Sequence, residues 1–197
     1  RFGLYLIEGE NLIDEAYKNG AGFGEILIRM GDESRFMKPW MDKEDVYLVS
    51  PSLFGELAQT ETSQGIIASV KKPSLSLDEF IEKKSSGNFV VLDRLQDPGN
   101  IGTIIRTADA AGYKLVIAMK GTADIFSPKV VRSATGSLFR VPIAFMENND
   151  ELVEFCARAK KKLTATCLDD SKFYYEEDLE DNIALIVGNE GNGIDPD

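Results

Sequence analysis

Hydrophobic positions along the chain fall into short runs, separated by polar stretches with helical spacing, from one end to the other. "LYLIE" (4–8), "EILIR" (25–29), "VYLVS" (46–50) and "GIIASV" (65–70) have the length and β-branched content of strands. Residues 11–18 and 51–57 between them carry helical periodicity, and Ser50 is placed to cap the second helix. The stretch 71–88, with "KKPSLS" and "KKSSGN", has the composition of a linker around one short helix. A first small α/β unit is therefore expected over 1–85 and a second unit over 86–197.

The second unit is the more regular. "NFVVLD" (88–93), "KLVIAM" (114–119), "VPIAF" (141–145), "KLTATCL" (162–168) and "NIALIVG" (182–188) read as strands. Helical patterns over 100–111, 127–134 and 150–161 alternate with them. This succession predicts an α/β fold with a mainly parallel sheet, whose ligands sit beyond the carboxyl ends of the strands.

Composition narrows the chemistry. Of 197 residues, 43% are hydrophobic and 28% charged, as in an ordinary globular protein. No apolar run approaches the roughly 20 residues of a membrane helix and no charged-then-apolar leader opens the chain, so a cytoplasmic location is expected. The absence of histidine argues against a zinc site and a Ser/His/Asp triad, and no metal is expected. Cys156 and Cys167, without CxxC spacing, read as buried thiols. The formal charge of -11 argues against nonspecific nucleic-acid binding. Its distribution changes that picture: residues 87–168 hold 11 basic and 8 acidic side chains, a local net of +3, while seven acids crowd into 169–181. That acidic run reads as a solvated loop, and Trp40 with Met41 as packing inside the first unit.

Two loops carry candidate chemistry. In "LDRLQDPGNIGTIIRTADAAG" (92–112) a strand gives way to a Pro-Gly turn, and Asn100 is a candidate helix cap. Ile101, Ile104, Ile105, Ala108 and Ala111 then form one apolar stripe, with Arg106 off it and Gly102 one turn before Arg106. Glycine in the first turn makes room for a close approach, and free N–H groups with a guanidinium one turn on suit an anion. In "NIALIVGNEGNGI" (182–194) an apolar strand enters a glycine-rich turn whose only ionisable side chain is Glu190. Neither loop is a P-loop or a dinucleotide fingerprint.

Together these loops resemble the two motifs of the SpoU-type (TrmH-like) RNA ribose 2'-O-methyltransferases of the SPOUT superfamily. "VVRSATGSLFRVPI" (130–143) matches a further family stretch. "LYLIEGENLIDEA" and "TETSQGIIASV" (60–70) resemble the substrate-binding domain often attached to it, so the likeness covers nearly the whole chain. The resemblance implies methyl transfer from S-adenosylmethionine to a ribose 2'-hydroxyl of structured RNA, ribosomal ahead of transfer RNA, by a homodimer with a trefoil knot, an exception to the rule against knotted chains. It assigns Arg106, Asn100 and Glu190 to catalysis. Gly188, Asn189, Glu190 and Thr166 fall to the cofactor, and Arg132 and Thr135 to substrate RNA. The family's third motif, a serine, leucine and asparagine segment that completes the knot, has no counterpart here and is expected beyond Asp197; a short leading helix is expected before Arg1. Arginine is a poor base, so Arg106 either stabilises the developing alkoxide or accepts its proton, the first being favoured. The competing reading is a noncatalytic RNA-binding or assembly protein with a lapsed cofactor pocket.

Overall fold

The computed structural model describes all residues except 1–2, 37, 43–44, 61, 85, 168–172, 192 and 195–197. Two sheets organise the chain. The first is built from β1 (Leu4–Glu8), β2 (Phe23–Arg29), β3 (Asp45–Val49) and β4 (Ile66–Lys71), with α1 (Glu10–Lys18) and α2 (Pro51–Leu57) between strands. Its order is β1-β4-β2-β3, antiparallel about β4 and parallel between β2 and β3. Ser50 caps α2 by accepting from the Leu53 N–H, as its sequence position predicts. After α3 (Leu77–Lys84), the unit boundary expected near residue 85 falls outside the described residues.

The second sheet holds β5 (Phe89–Leu92), β6 (Leu115–Met119), β7 (Ile143–Met146), β8 (Lys162–Ala165) and β9 (Ile183–Val187) in the order β7-β6-β5-β9-β8. All its pairings are parallel, as the alternating pattern predicts. Helices α4 (Pro98–Ala110), α5 (Pro128–Ala134) and α6 (Asn149–Arg158) connect its strands. Successive β5 side chains point to opposite faces, so Val90 and Leu92 pack with Ile101 and Ile105 of α4, while Phe89 and Val91 pack with Phe155 of α6 and Phe80 of α3. The α4 face of this core runs on without a break into Ile7, Ile13 and Ile26 of the first unit. The two sheets are thereby held against one another.

Several expectations need correction. Helix α4 begins earlier than residue 100: Asp97 is its cap, its Oδ1 accepting from the Asn100 N–H at 2.7 Å, and Pro98 occupies the first turn. The apolar stripe is narrower, with Ile101, Ile105 and Ala108 buried, Ile104 half-buried and Ala111 exposed beyond the end of the helix. The close approach at Gly102 is made by α5: a Cβ there would lie 2.3 Å from Ser133 Oγ and 2.7 Å from the Ala134 nitrogen. Gly102→Ala is therefore expected to wedge α4 from α5 and cost about 1–3 kcal/mol, read as a lowered unfolding midpoint in urea. Strand β8 ends at Ala165, which leaves Cys167 exposed, whereas Cys156 is buried as expected. Trp40 is buried and donates from Nε1 to Asp14 at 2.9 Å, so it packs inside the first unit.

Candidate active site

The site forms where β5 and β9, adjacent and parallel, deliver their loops to one edge of the sheet. The segment 93–97 follows β5, and Arg94 adopts a left-handed backbone with φ 56°. This turns its carbonyl so that it accepts from Asn189 Nδ2 at 2.8 Å and from Gln96 Nε2 at 3.1 Å. Gln96 Nε2 also donates to the Gly121 carbonyl at 2.6 Å, tying in the loop after β6. One glutamine amide thus fixes the first loop against its neighbour.

The loop after β9 folds back on itself. Asn189 and Gly193 exchange backbone hydrogen bonds of 2.8 and 2.9 Å, and Gly191 donates to Asn189 Oδ1 at 3.0 Å. Gly188 is required by this hairpin, since a Cβ would lie 2.5 Å from the Gly193 carbonyl carbon. Glu190 at the tip reaches across to the start of α4. Its carboxylate accepts from Asn100 Nδ2 at 3.1 Å, from the Asp97 N–H at 3.3 Å and from the Gln96 N–H at 3.4 Å. A carboxylate at a helix N-terminus also faces the favourable end of the helix dipole. Its own backbone N–H, then the Asn100 amide, hold the Glu190 carboxyl below its ordinary value against the opposing effect of burial.

A carboxyl lowered in the folded state stabilises the fold above its unfolded pKa, and that contribution is lost as pH falls through the lowered value. Glu190→Gln should therefore be less stable than the parent at neutral pH, with the gap closing below the carboxylate range. Thermal unfolding at neutral and acidic pH measures this, and a gap that does not change with pH contradicts it.

Of the sequence-predicted residues, the structure brings together Asn100, Gly188, Asn189 and Glu190. Thr166 lies just past β8, with both its N–H and Oγ1 donating to the Ile186 carbonyl at 3.1 Å, which places it beside the same strand end. Arg106 is exposed on α4, six residues or about 9 Å of helix rise beyond Asn100. Among the described residues Arg106 makes no hydrogen bond or ion pair. Arg132 and Thr135, exposed at the end of α5, line a separate groove against α1 and have no hydrogen bond to Glu190. Sequence reasoning missed Arg94, Gln96 and Asp97. Asp97 was readable from its Asp-Pro step, but the left-handed Arg94 and the bridging Gln96 had no local signal.

The loop after β9 and an adjoining cavity leave room for a ligand group beside the strand ends. Among the described residues, Asn189 Oδ1 at 3.7 Å is what a Cβ at Gly191 would meet, so the loop backbone is approachable. A largely apolar cavity of about 190 Å³ opens nearby, lined by Val91, Met119, Leu163, Ile186 and Ile194, with Asp93 and Asn149 also on its wall. No cluster of three or more metal-binding side chains exists among the described residues. Burial pushes the Cys156 thiol up to about 11, with Lys161 opposing, so it is no thiolate nucleophile.

Fold and site together define an α/β protein with its ligand pocket at the carboxyl ends of a parallel sheet. Residues 87–197 match the SpoU rRNA Methylase family, and residues 1–68 match the MRM3-like substrate binding domain. The chain belongs to the SpoU rRNA methylase family. It is 40% identical over 192 residues to the 23S rRNA (guanosine(2553)-2'-O)-methyltransferase RlmP of Bacillus subtilis, covering 97% of this chain and 73% of that protein. Among solved structures it resembles the SpoU methyltransferase AviRb of Streptomyces viridochromogenes in complex with AdoMet, with a TM-score of 0.85 and 29% identity over 98% of this chain and 76% of that one. An AdoMet-bound rRNA methyltransferase from Sinorhizobium meliloti gives a TM-score of 0.84 at 28% identity, over 98% and 73% of the two chains.

Proposed function

We propose that this protein is an S-adenosylmethionine-dependent RNA ribose 2'-O-methyltransferase acting on ribosomal RNA. The observation that carries the reading is the 3.1 Å contact between Asn100 and Glu190, which joins loops 90 residues apart into one pocket wall. Gly188, Asn189, Glu190 and Thr166 are the residues that would hold the cofactor, which supplies an activated methyl group when bound. Glu190 fixes Asn100 and the turn before α4, so the pocket wall is preorganised. Arg106, without a partner among the described residues, is available to hold an RNA phosphate and to stabilise the negative charge that develops on the ribose oxygen. Alignment of donor and acceptor supplies much of the remaining acceleration.

The division into a substrate-binding unit (1–85) and a methyltransferase unit (86–197), the RNA-facing role of Arg132 and Thr135, the homodimer, the trefoil knot and the cytoplasmic location belong to the same proposal. Family membership supports them, and among the described residues no helix is long and apolar enough to cross a membrane.

Transfer of a tritiated methyl group from S-adenosylmethionine to ribosomal RNA, followed by digestion to nucleosides, tests the reading. Label in 2'-O-methylnucleosides is expected. Calorimetric binding of S-adenosylmethionine without any transfer to RNA would favour a noncatalytic RNA-binding protein instead.

A further inference from the structure

A second cavity, of about 490 Å³, lies between the two units, away from Glu190. Asn11 of α1 and Gln64 before β4 face Arg132 and Thr135 of the second unit across it. Its volume falls within the roughly 300–1,000 Å³ of sites that take small molecules or single nucleotides. The polar groups on its walls divide into two kinds.

The carboxylates are engaged. Glu8 accepts from the Gln59 N–H and the Thr60 hydroxyl, and Glu15 is held by Arg140 Nη1 at 2.7 Å. The donors are not. Among the described residues, the side chains of Asn11, Arg132 and Thr135 have no hydrogen-bond or ion-pair partner. Gln64 accepts from the Glu10 N–H through Oε1 at 3.1 Å, which fixes its amide and leaves Nε2 unused. The groove thus presents two carboxamides, a hydroxyl and a guanidinium with no protein acceptor.

The walls are clamped. Arg140 bridges Glu15 of α1 and Asp109 of α4, the latter at 2.7 Å, while Ser137 Oγ donates to the same Asp109 oxygen at 2.8 Å. Gly136 allows this crossing, since a Cβ there would lie 2.9 Å from Arg140 Nη1 and 3.0 Å from Glu15 Oε2. A ligand in the groove is therefore held at a set distance from the pocket around Glu190.

Carboxamides offer a donor and an acceptor side by side, which suits the edge of a nucleobase, whereas a guanidinium suits a phosphate. A base edge is accessible only where RNA is unpaired. We propose that this groove is a reading site for one unpaired ribonucleotide outside the methylated position, with Asn11 and Gln64 on its base edge and Arg132 on its phosphate. This inference rests on the RNA methyltransferase reading and adds a site that chooses the RNA.

Fluorescence anisotropy with labelled hexaadenylate, hexacytidylate, hexauridylate and an abasic hexamer tests it. The parent protein should prefer one base over the abasic hexamer by roughly tenfold. An Asn11→Ala, Gln64→Ala double variant should bind every hexamer at the abasic level, and Arg132→Ala should weaken all of them alike. Gln64→Glu, of the same size and still able to accept from the Glu10 N–H, should also lose the preference, and unfolding midpoints near the parent's show that the variants are folded. A base preference that survives in the double variant overturns the reading site, as does a parent protein that binds no hexamer better than the abasic one. Tritium transfer to ribosomal RNA, run alongside, separates the two claims: transfer by the parent with either of those results sinks the groove alone, and a lost preference without any transfer by the parent sinks the enzymatic reading.

Discussion

Arg106→Ala should lower methyl transfer by on the order of 100- to 1,000-fold, while S-adenosylmethionine binds with nearly unchanged affinity. The split follows from placement. Arg106 is exposed on α4 and bonds to none of the described residues of the glycine-rich loop, so its removal leaves Glu190, Asn100 and the Gly188 hairpin in place. What would be lost is a guanidinium with no hydrogen bond or ion pair among the described residues, the group proposed to meet RNA and the reacting oxygen. Single-turnover rates at saturating cofactor, with calorimetric binding of the cofactor alongside, measure both halves. Arg106→Lys separates the two roles open to this residue. A stabilising charge survives in lysine, so part of the rate should return with a flat pH profile through neutrality. A proton acceptor would instead give a rate that climbs with pH as the lysine loses its proton.

Glu190→Ala should act differently, reducing cofactor affinity and rate together, the rate by on the order of 100-fold. Its carboxylate holds Asn100 and the Gln96 and Asp97 N–H groups, so alanine leaves three donors without their acceptor and releases the hairpin tip from α4. An unaltered rate would remove Glu190 from the site. The contrast between the variants is itself informative, because one residue works through its freedom and the other through its bonds.

The parallel sheet was legible because buried strands make continuous apolar runs, and "FVVL", "LVIAM" and "IALIV" do so without ambiguity. Asn100 and Glu190 were legible together because each belongs to the connection that follows a strand of one parallel sheet, Asn100 in the first turn of α4 after β5 and Glu190 in the loop after β9. The helix start was misplaced because Asp97 and Asn100 are both good caps, and the choice between them depends on which side chain accepts and which is drawn to Glu190. Gly102 carried a true signal of close approach with the wrong visitor. Sequence shows that a side chain is missing and never what fills the space, here Ser133 of the next helix. The interdomain groove was invisible for a related reason. Gln64 and Asn11 look like ordinary surface amides until the shared core brings α1 against the turn that follows α5 and leaves their donors facing Arg132.

Methyl groups placed on ribose 2'-hydroxyls of RNA at the pocket around Asn100 and Glu190, with Arg106 roughly one and a half helical turns away, are the expected product of this chain. Mapping 2'-O-methylation across ribosomal and transfer RNA tests it most directly, in cells with the gene, without it, and with Arg106→Ala in its place. A ribosomal 2'-O-methyl group is expected only with the parent gene and should be missing from both other strains. Identical maps in all three, or a change confined to base methylation, would contradict it.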